Sequence, residues 1–139
     1  MNVEANKALI RRYIDAVWST GDLNFAHEVL ADTFVDDTAP PGTAADRAGH
    51  HQNVTAFRAA FPDAQFRLQD LIAEGDKVVV RWTMQAHHQG SFFGLPPTGK
   101  PCTLDGIDIY QVADGKIVAA WHRENLLGLL RQINPENTF

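Results

Sequence analysis

Asp108 has surroundings suited to acid–base work. It lies in a strand-like run, Thr103 to Val112, beside Ile107 and Ile109. Burial there would raise the pKa of its carboxyl toward the range where it can both take and release a proton. The alternative is a structural ion pair with Arg123 or Arg81. Tyr13 falls near the apolar stripe of a helical segment. It is a candidate to turn its hydroxyl into a pocket, because a buried hydroxyl needs a partner. Trp18, close to the same stripe, reads as packing. Asp36 and Asp37 follow the apolar pair Phe34-Val35, so alternation turns one carboxylate inward unless both lie in a solvated turn. His50, His51 and Asn53 share another helical segment, from which one histidine could reach a pocket rim. No metal site is expected at His50-His51 or His87-His88. Adjacent histidines do not converge on one ion, and no H-x-H or H-E-x-x-H spacing exists. His27 and His122 read as surface or packing residues.

These residues need a scaffold, and the composition bounds it. The chain has 139 residues, 45% apolar and 21% charged, an ordinary globular balance for one domain spanning 1–139. Twelve basic residues against 17 acidic ones leave a net charge of −5, which argues against a nucleic-acid or anionic-membrane partner. Cys102 is the lone cysteine, so neither an internal disulfide nor a Cys-rich zinc site is expected. Met1 to Arg12 lacks an apolar signal core, and no segment reaches membrane-spanning length. A soluble, cytoplasmic domain is the expectation.

Leu9, Ile10, Tyr13, Val17 and Trp18 recur at helical spacing. Gly21 ends that helix, and Asp22 caps a second, Leu23 to Leu30. Phe34-Val35 reads as a short strand before the Pro40-Pro41-Gly42 break. A third helix, Ala48 to Ala60, follows Asp46 and stops at Pro62. The period then changes to two. Phe66, Leu68 and Asp70 open a strand, Gly75-Asp76 turns it, and Lys77 to His88 is a long strand apolar on both faces. Gly90 to Lys100 is a Gly/Pro-rich connection. Thr103 to Val112 and Lys116 to Arg123 are strands joined by Asp114-Gly115, and an apolar tail, Leu126 to Leu130, closes the chain. Helices first and an antiparallel meander after them predict an α+β fold. A strongly curved sheet around three helices makes a half-open cone with an apolar pocket.

Four segments together resemble the SnoaL-like polyketide cyclases over roughly Asn6 to Gln132. Gly90-Ser-Phe-Phe-Gly-Leu-Pro-Pro-Thr-Gly-Lys100 is similar to their G-x-(F/L)-x-G-x-P-P-T-G-K run. Gly106-Ile107-Asp108-Ile109-Tyr110, followed by Asp114-Gly115-Lys116-Ile117, is similar to their G-I-D strand and D-G-K-I turn. Ala60-Phe61-Pro62-Asp63 matches the A-F-P-D that ends their third helix. Trp121 and Leu127-Gly128-Leu129-Leu130-Arg131-Gln132 match their W-x-x-x-D-x-x-G-L-L-x-Q ending. The resemblance implies a cystatin-like, nuclear transport factor 2-like α+β barrel, cofactor-free chemistry, and a homodimer or homotetramer. It also implies an apolar aromatic substrate. The chain departs from the pattern at one position. Asn125 stands where the cyclases carry the aspartate taken as their general acid/base, and an amide does not exchange a proton at neutral pH.

In the cyclases a base removes a proton from a carbon between two carbonyls, and an acid protonates the oxygen formed on ring closure. By strand alternation Asp108 is the candidate acid/base group, lying near Trp121 or Arg123 across the last hairpin. Asn125, on the face of Trp121 and Arg123, is expected to point into the pocket with Glu124 pointing away. It is read either as a hydrogen-bond donor to an enolate or as the cap of the segment that follows. Relatives often carry histidine at Asp37, which makes it a second carboxylate candidate. Tyr13, His51, Asn53, Arg81, Trp82, Trp121 and Arg123 complete the candidate substrate contacts, with Phe92 and Phe93 as a flap that excludes water. The expected function is cofactor-independent aldol ring closure of a polyketide ester. The alternatives are a hydroxylase or isomerase of the same fold, or a non-catalytic small-molecule-binding module.

Overall fold

In the computed structural model, which describes residues 2–134, helix α1 spans Val3–Tyr13. The Asn2 side chain caps it by accepting from the Ala5 N–H, and Arg11 and Arg12 complement the dipole of its last turn. The chain then widens into a π turn, Ile14–Trp18. That turn matters for the site. Residues five apart on an α-helix diverge by about 140°, given 3.6 residues per turn. On the wider turn they meet, and the Trp18 indole N–H donates to the Tyr13 hydroxyl at 3.0 Å.

Helix α2, Leu23–Val29, is capped by Asp22 and runs directly into strand β1, Leu30–Asp36. The helix is thus a residue shorter than expected, and the strand longer than Phe34-Val35. Helix α3, Arg47–Ala60, begins at Asp46, whose carboxylate accepts from the Gly49 N–H at 2.9 Å. Strands β2 (Gln65–Glu74), β3 (Lys77–His87), β4 (Pro101–Ala113) and β5 (Lys116–Glu124) form an antiparallel meander. The sheet order is β1-β5-β4-β3-β2, with β1 parallel to β5 at one edge. The expected apolar tail is a fourth helix, α4, Leu126–Ile133. Leu129 and Ile133 on it are buried, and Gln132 locks it to β4 by accepting from the Thr103 N–H at 2.7 Å.

Two irregularities set which side chains face inward. One extra residue, Gln69, interrupts β2 against β3, so Leu68 pairs Trp82 but Asp70 pairs Arg81. One extra residue, Val118, interrupts β5 against β4, so Val112 pairs Ile117 but Gln111 pairs Ala119. Each bulge reverses the in/out alternation of the strand that carries it. Strand β3 is not apolar on both sides in effect. Val78, Val80, Trp82 and Met84 are buried, while Arg81 between them is exposed. The core fills the space between the helices and the concave face of the sheet, with Ile10, Val17, Leu30, Val54, Phe61, Val80 and Ile117 within it. Burying each of these large side chains contributes about 1.5–3 kcal/mol.

Candidate active site

A pocket of about 700 Å³ opens between α1, α3, the 90–100 connection and the concave sheet. Its aromatic wall is continuous. Trp18 meets Phe57 and Phe66 at ring-centroid distances of 5.8 and 6.2 Å, and Phe66 meets Trp82 at 5.2 Å. Gly106 lets Trp82 lie flat on the sheet, since a Cβ there would come within 2.5 Å of the indole. Phe92 packs on Phe61 at 4.9 Å, and Phe93 beside it is exposed at the mouth. The connection carrying them is tied down at both ends. The Gln89 and Gly90 N–H groups donate to the Ala60 carbonyl, and the Thr98 N–H donates to His88 Nδ1. A second groove of similar volume, between α1 and β2, is lined by exposed charged side chains such as Glu4, Arg11 and Asp15.

The polar groups of the pocket come from facing strands. Asp108 is buried on β4, and Tyr110, two residues on, donates its hydroxyl to Asp108 Oδ2 at 2.7 Å. Asp108 Oδ1 and the Trp82 indole N–H are both buried without a well-formed hydrogen bond, and the indole lies near enough to the carboxyl to favour its charged form. Burial pushes this carboxyl up to about 6, against the lowering effects of Tyr110, Trp82 and the nearby His122. Opposite Asp108 in the β4–β5 register stands His122. Its Nε2 pairs with Asp36 Oδ2 at 2.9 Å and its Nδ1 with Glu124 Oε2 at 2.9 Å. Burial disfavours charge on this ring, but the two carboxylates outweigh it and raise His122 to about 10. The imidazole is therefore cationic at neutral pH. Burial likewise opposes ionisation of Asp36, but the bond from His122 outweighs it and holds the carboxyl below its usual value. Thr38 braces the pair, donating its hydroxyl to Asp36 and accepting from the His122 backbone N–H. On the helical side, Tyr13 and His50 Nε2 lie 2.6 Å apart.

Tyr13, Asn53, Trp82, Phe92, Phe93, Asp108 and Arg123 line the pocket. Five other candidates do not. Asn125 is the N-cap of α4, accepting from the Gly128 N–H at 3.1 Å, and has no place in the pocket. Gly128 is shaped to that cap, since a Cβ there would come within 2.5 Å of the Asn125 amide. Glu124, expected to point away, lines the pocket instead. Trp121 is opposite Ile109 on the outer face, because the Val118 bulge turns Ala120, His122 and Glu124 inward. Arg81 is exposed on that outer face and pairs with Asp70 at 2.6 Å. It does not pair with Asp108, and neither does Arg123, whose guanidinium donates to the His122 carbonyl. Alternation turns Asp36 inward rather than Asp37. His51 sits behind His50, with its ring 5.7 Å from that of His27.

Asp36 and His50 are the members of their pairs that the structure selects; the residues missed were His122, Glu124 and Tyr110. Tyr110 was legible, since it shares a strand face with Asp108. His122 and Glu124 were not, because the unbulged hairpin register sets Trp121 opposite Asp108. Among the described residues no group of three or more His, Cys, Asp or Glu is placed to hold a metal ion, and no helix is long and apolar enough to cross a membrane.

A curved, unclosed five-stranded sheet wrapped on helices, with a polar cluster at the base of an aromatic pocket, is the nuclear transport factor 2-like α+β fold. Solved structures agree. AclR, a candidate hydroxylase from Streptomyces galilaeus, is 28% identical with a TM-score of 0.87, over 96% of this chain and 98% of that one. IdmH, a candidate polyketide cyclase from Streptomyces antibioticus, is 30% identical with a TM-score of 0.81, over 92% of this chain and 97% of that one. TsrD from Streptomyces laurentii is 25% identical with a TM-score of 0.86, over 96% and 98%. No curated protein matches the chain. The chain belongs to the SnoaL-like polyketide cyclase family, whose model matches residues 8–133.

Proposed function

We propose that this chain is a cofactor-independent polyketide cyclase that closes a ring by intramolecular aldol addition on an aromatic polyketide ester. The observation that carries this reading is Asp108, a carboxyl buried in the aromatic pocket with one oxygen held by Tyr110 and the other beside the Trp82 indole. With its pKa raised to about 6 by burial, it is a carboxylate at neutral pH and still basic. Asp108 Oδ1 takes the proton from a carbon between two carbonyls, and the electron pair spreads into them as an enolate. The enolate carbon attacks an acceptor carbonyl carbon. A carbon–carbon bond forms, the carbonyl pair moves to oxygen, and that oxygen takes up a proton. The His122 imidazolium, fixed by Asp36 and Glu124, supplies a positioned charge opposite Asp108 for the developing anion. The aromatic walls hold the chain folded in a near-attack geometry.

The test is to incubate the protein in air with an anthraquinone-type polyketide methyl ester and weigh the product. A new, ring-closed product of unchanged mass, lost with Asp108→Asn, is expected. A product heavier by one oxygen atom selects the hydroxylase reading, which the likeness to AclR favours. An unchanged mass without a new ring selects an isomerase, and binding without turnover selects a binding module. The same reading carries a cytoplasmic site of action and a homodimer or homotetramer. The exposed Ile72 and Ile107 of the outer sheet face suit such an association. Sedimentation as a monomer at tens of micromolar would overturn the oligomer.

A further inference from the structure

The aldol step needs a proton donor for the new oxygen. Asp108 holds a proton after the first step and serves an oxygen within its own reach on the sheet side, so an oxygen on the helical side needs a donor there. His122 has both ring nitrogens committed to carboxylates. The Tyr110 hydroxyl is committed to Asp108. On the helical side of the pocket a chain of short contacts is left over. The Trp18 N–H donates to the Tyr13 oxygen at 3.0 Å, Tyr13 lies 2.6 Å from His50 Nε2, and His50 Nδ1 lies 3.2 Å from His51 Nδ1. His51 Nε2 is buried without a partner, beside the ring of His27, which is exposed on α2.

We propose that Tyr13, His50 and His51 form a proton relay that runs from His51 Nε2, beside His27, to the pocket, with Tyr13 as the acid that protonates the substrate oxygen. The inference rests on the acid–base reading above. It follows from counting hydrogens. A neutral imidazole carries one, and two Nδ1 atoms in hydrogen-bond contact must share one between them. Two arrangements satisfy every contact. In the first, Tyr13 donates to His50 Nε2, His50 Nδ1–H donates to His51 Nδ1, and His51 carries its proton on Nε2. In the second, His51 Nδ1–H donates to His50 Nδ1 and His50 Nε2–H donates to the Tyr13 oxygen. The Tyr13 O–H is then free to point into the pocket.

The two arrangements differ by the passage of one proton. From the second, Tyr13 gives its proton to the substrate oxygen and takes the one on His50 Nε2. His50 Nδ1 takes the one on His51 Nδ1, and a proton enters at His51 Nε2. The first arrangement results. The return stroke follows product release. Asp108 gives its proton to solvent in the pocket, and Tyr13 takes one up from that solvent as it passes its own to His50 Nε2. His50 Nδ1 passes its proton to His51 Nδ1, and one leaves at His51 Nε2, which restores the second. A relay of this kind needs rings that stay neutral between strokes. Burial and the neighbouring His51 hold His50 down at about 4, against the attraction of Asp36, and His122 adds to the lowering. Burial, with His27 and Arg47, also lowers His51. Burial raises the Tyr13 phenol well above its ordinary value, so it gives up its proton only as His50 Nε2 hands it another. Tyr13 is a catalytic residue in this scheme, and His50 and His51 act through it.

The first test needs no substrate. Nitrogen-15 NMR of the histidine rings in the unliganded protein near pH 6 reads which nitrogen of each ring is protonated. One protonated and one bare Nδ1 across the His50–His51 pair is expected. Both rings protonated only at Nε2 overturns the relay, whatever the protein's reaction. The second test uses turnover of the polyketide ester. His51→Ala is expected to lower kcat by about 10²-fold with KM little changed, in keeping with loss of an acid–base path. Added imidazole should restore it. 1-Methylimidazole, which fills the same space but has only one nitrogen to protonate, should not. Equal rescue by both, or an unaffected kcat, overturns the relay. If the wild-type protein turns over no ester, the cyclase reading falls, and the NMR result still decides whether the relay exists.

Discussion

Asp108 combines two demands that conflict. A buried carboxylate costs stability, and the same burial makes it a base. Its pKa is raised from 3.8 to about 6, so its contribution to stability is fully present below pH 3.8 and is lost as pH rises through about 6. Asp108→Asn removes the ionisation and keeps an acceptor for the Tyr110 hydroxyl. The variant is expected to be more stable than wild type by roughly 2–3 kcal/mol at pH 7, with the gain vanishing toward pH 4. Its turnover should fall by about 10²–10⁴-fold. Thermal unfolding at the two pH values, beside the product assay, checks both halves. A variant destabilised at pH 7 would mean that the carboxylate serves structure instead.

At the scale of an element, helix α4 explains the departure at Asn125. The position is a cap: its side chain meets the Gly128 N–H, and Gly128 has no side chain in the way. Asparagine and aspartate cap about equally well, and either satisfies a backbone donor at the start of a helix. Asn125→Ala is therefore expected to cost about 1 kcal/mol of stability with kcat unchanged, and Asn125→Asp to leave both nearly as they are. Denaturant unfolding and steady-state kinetics decide it. A gain in kcat with aspartate would move residue 125 back into the chemistry. The absence of the usual aspartate does not empty the pocket of carboxylates, because Asp36, Asp108 and Glu124 line it.

Across the whole molecule, the Asp36–His122–Glu124 cluster joins the ends of the two parallel strands at the sheet edge. It couples the seating of β1 against β5 to protonation. His122 is raised from 6.5 to about 10, so its contribution is full below pH 6.5 and is lost as pH rises through about 10. Asp36 is lowered, so its contribution is present above 3.8 and is lost as pH falls through its folded-state value. The stability difference between wild type and His122→Gln is expected to be widest between about pH 4 and 6.5 and to narrow steadily toward pH 10. Melting curves across that range measure it. A difference that stays constant to pH 10 would mean that the imidazole is neutral in the folded protein.

The elements of this fold were legible because their signals are local. Apolar spacing, the caps at Asp22 and Asp46, and the Gly75 and Gly115 turns each act within a few residues, and each element formed close to where its residues require. Asp108 was legible for the same reason, as a charge in an apolar strand with Tyr110 two residues on. The partners of Asp108 depend on register, and one bulged residue sets it. Without Val118 as the extra residue, the hairpin at Asp114-Gly115 would pair Asp108 with Trp121, and the wrong face of β5 would meet the pocket. Nothing near Val118 announces the bulge, because it is chosen by how β5 seats against β4 and β1 together. The contact of Tyr13 with His50, 37 residues away, is likewise made only when α1 and α3 pack. Local chemistry in the sequence determined the strands, the helices and one carboxylate. Packing between distant elements decided which side chains that carboxylate meets.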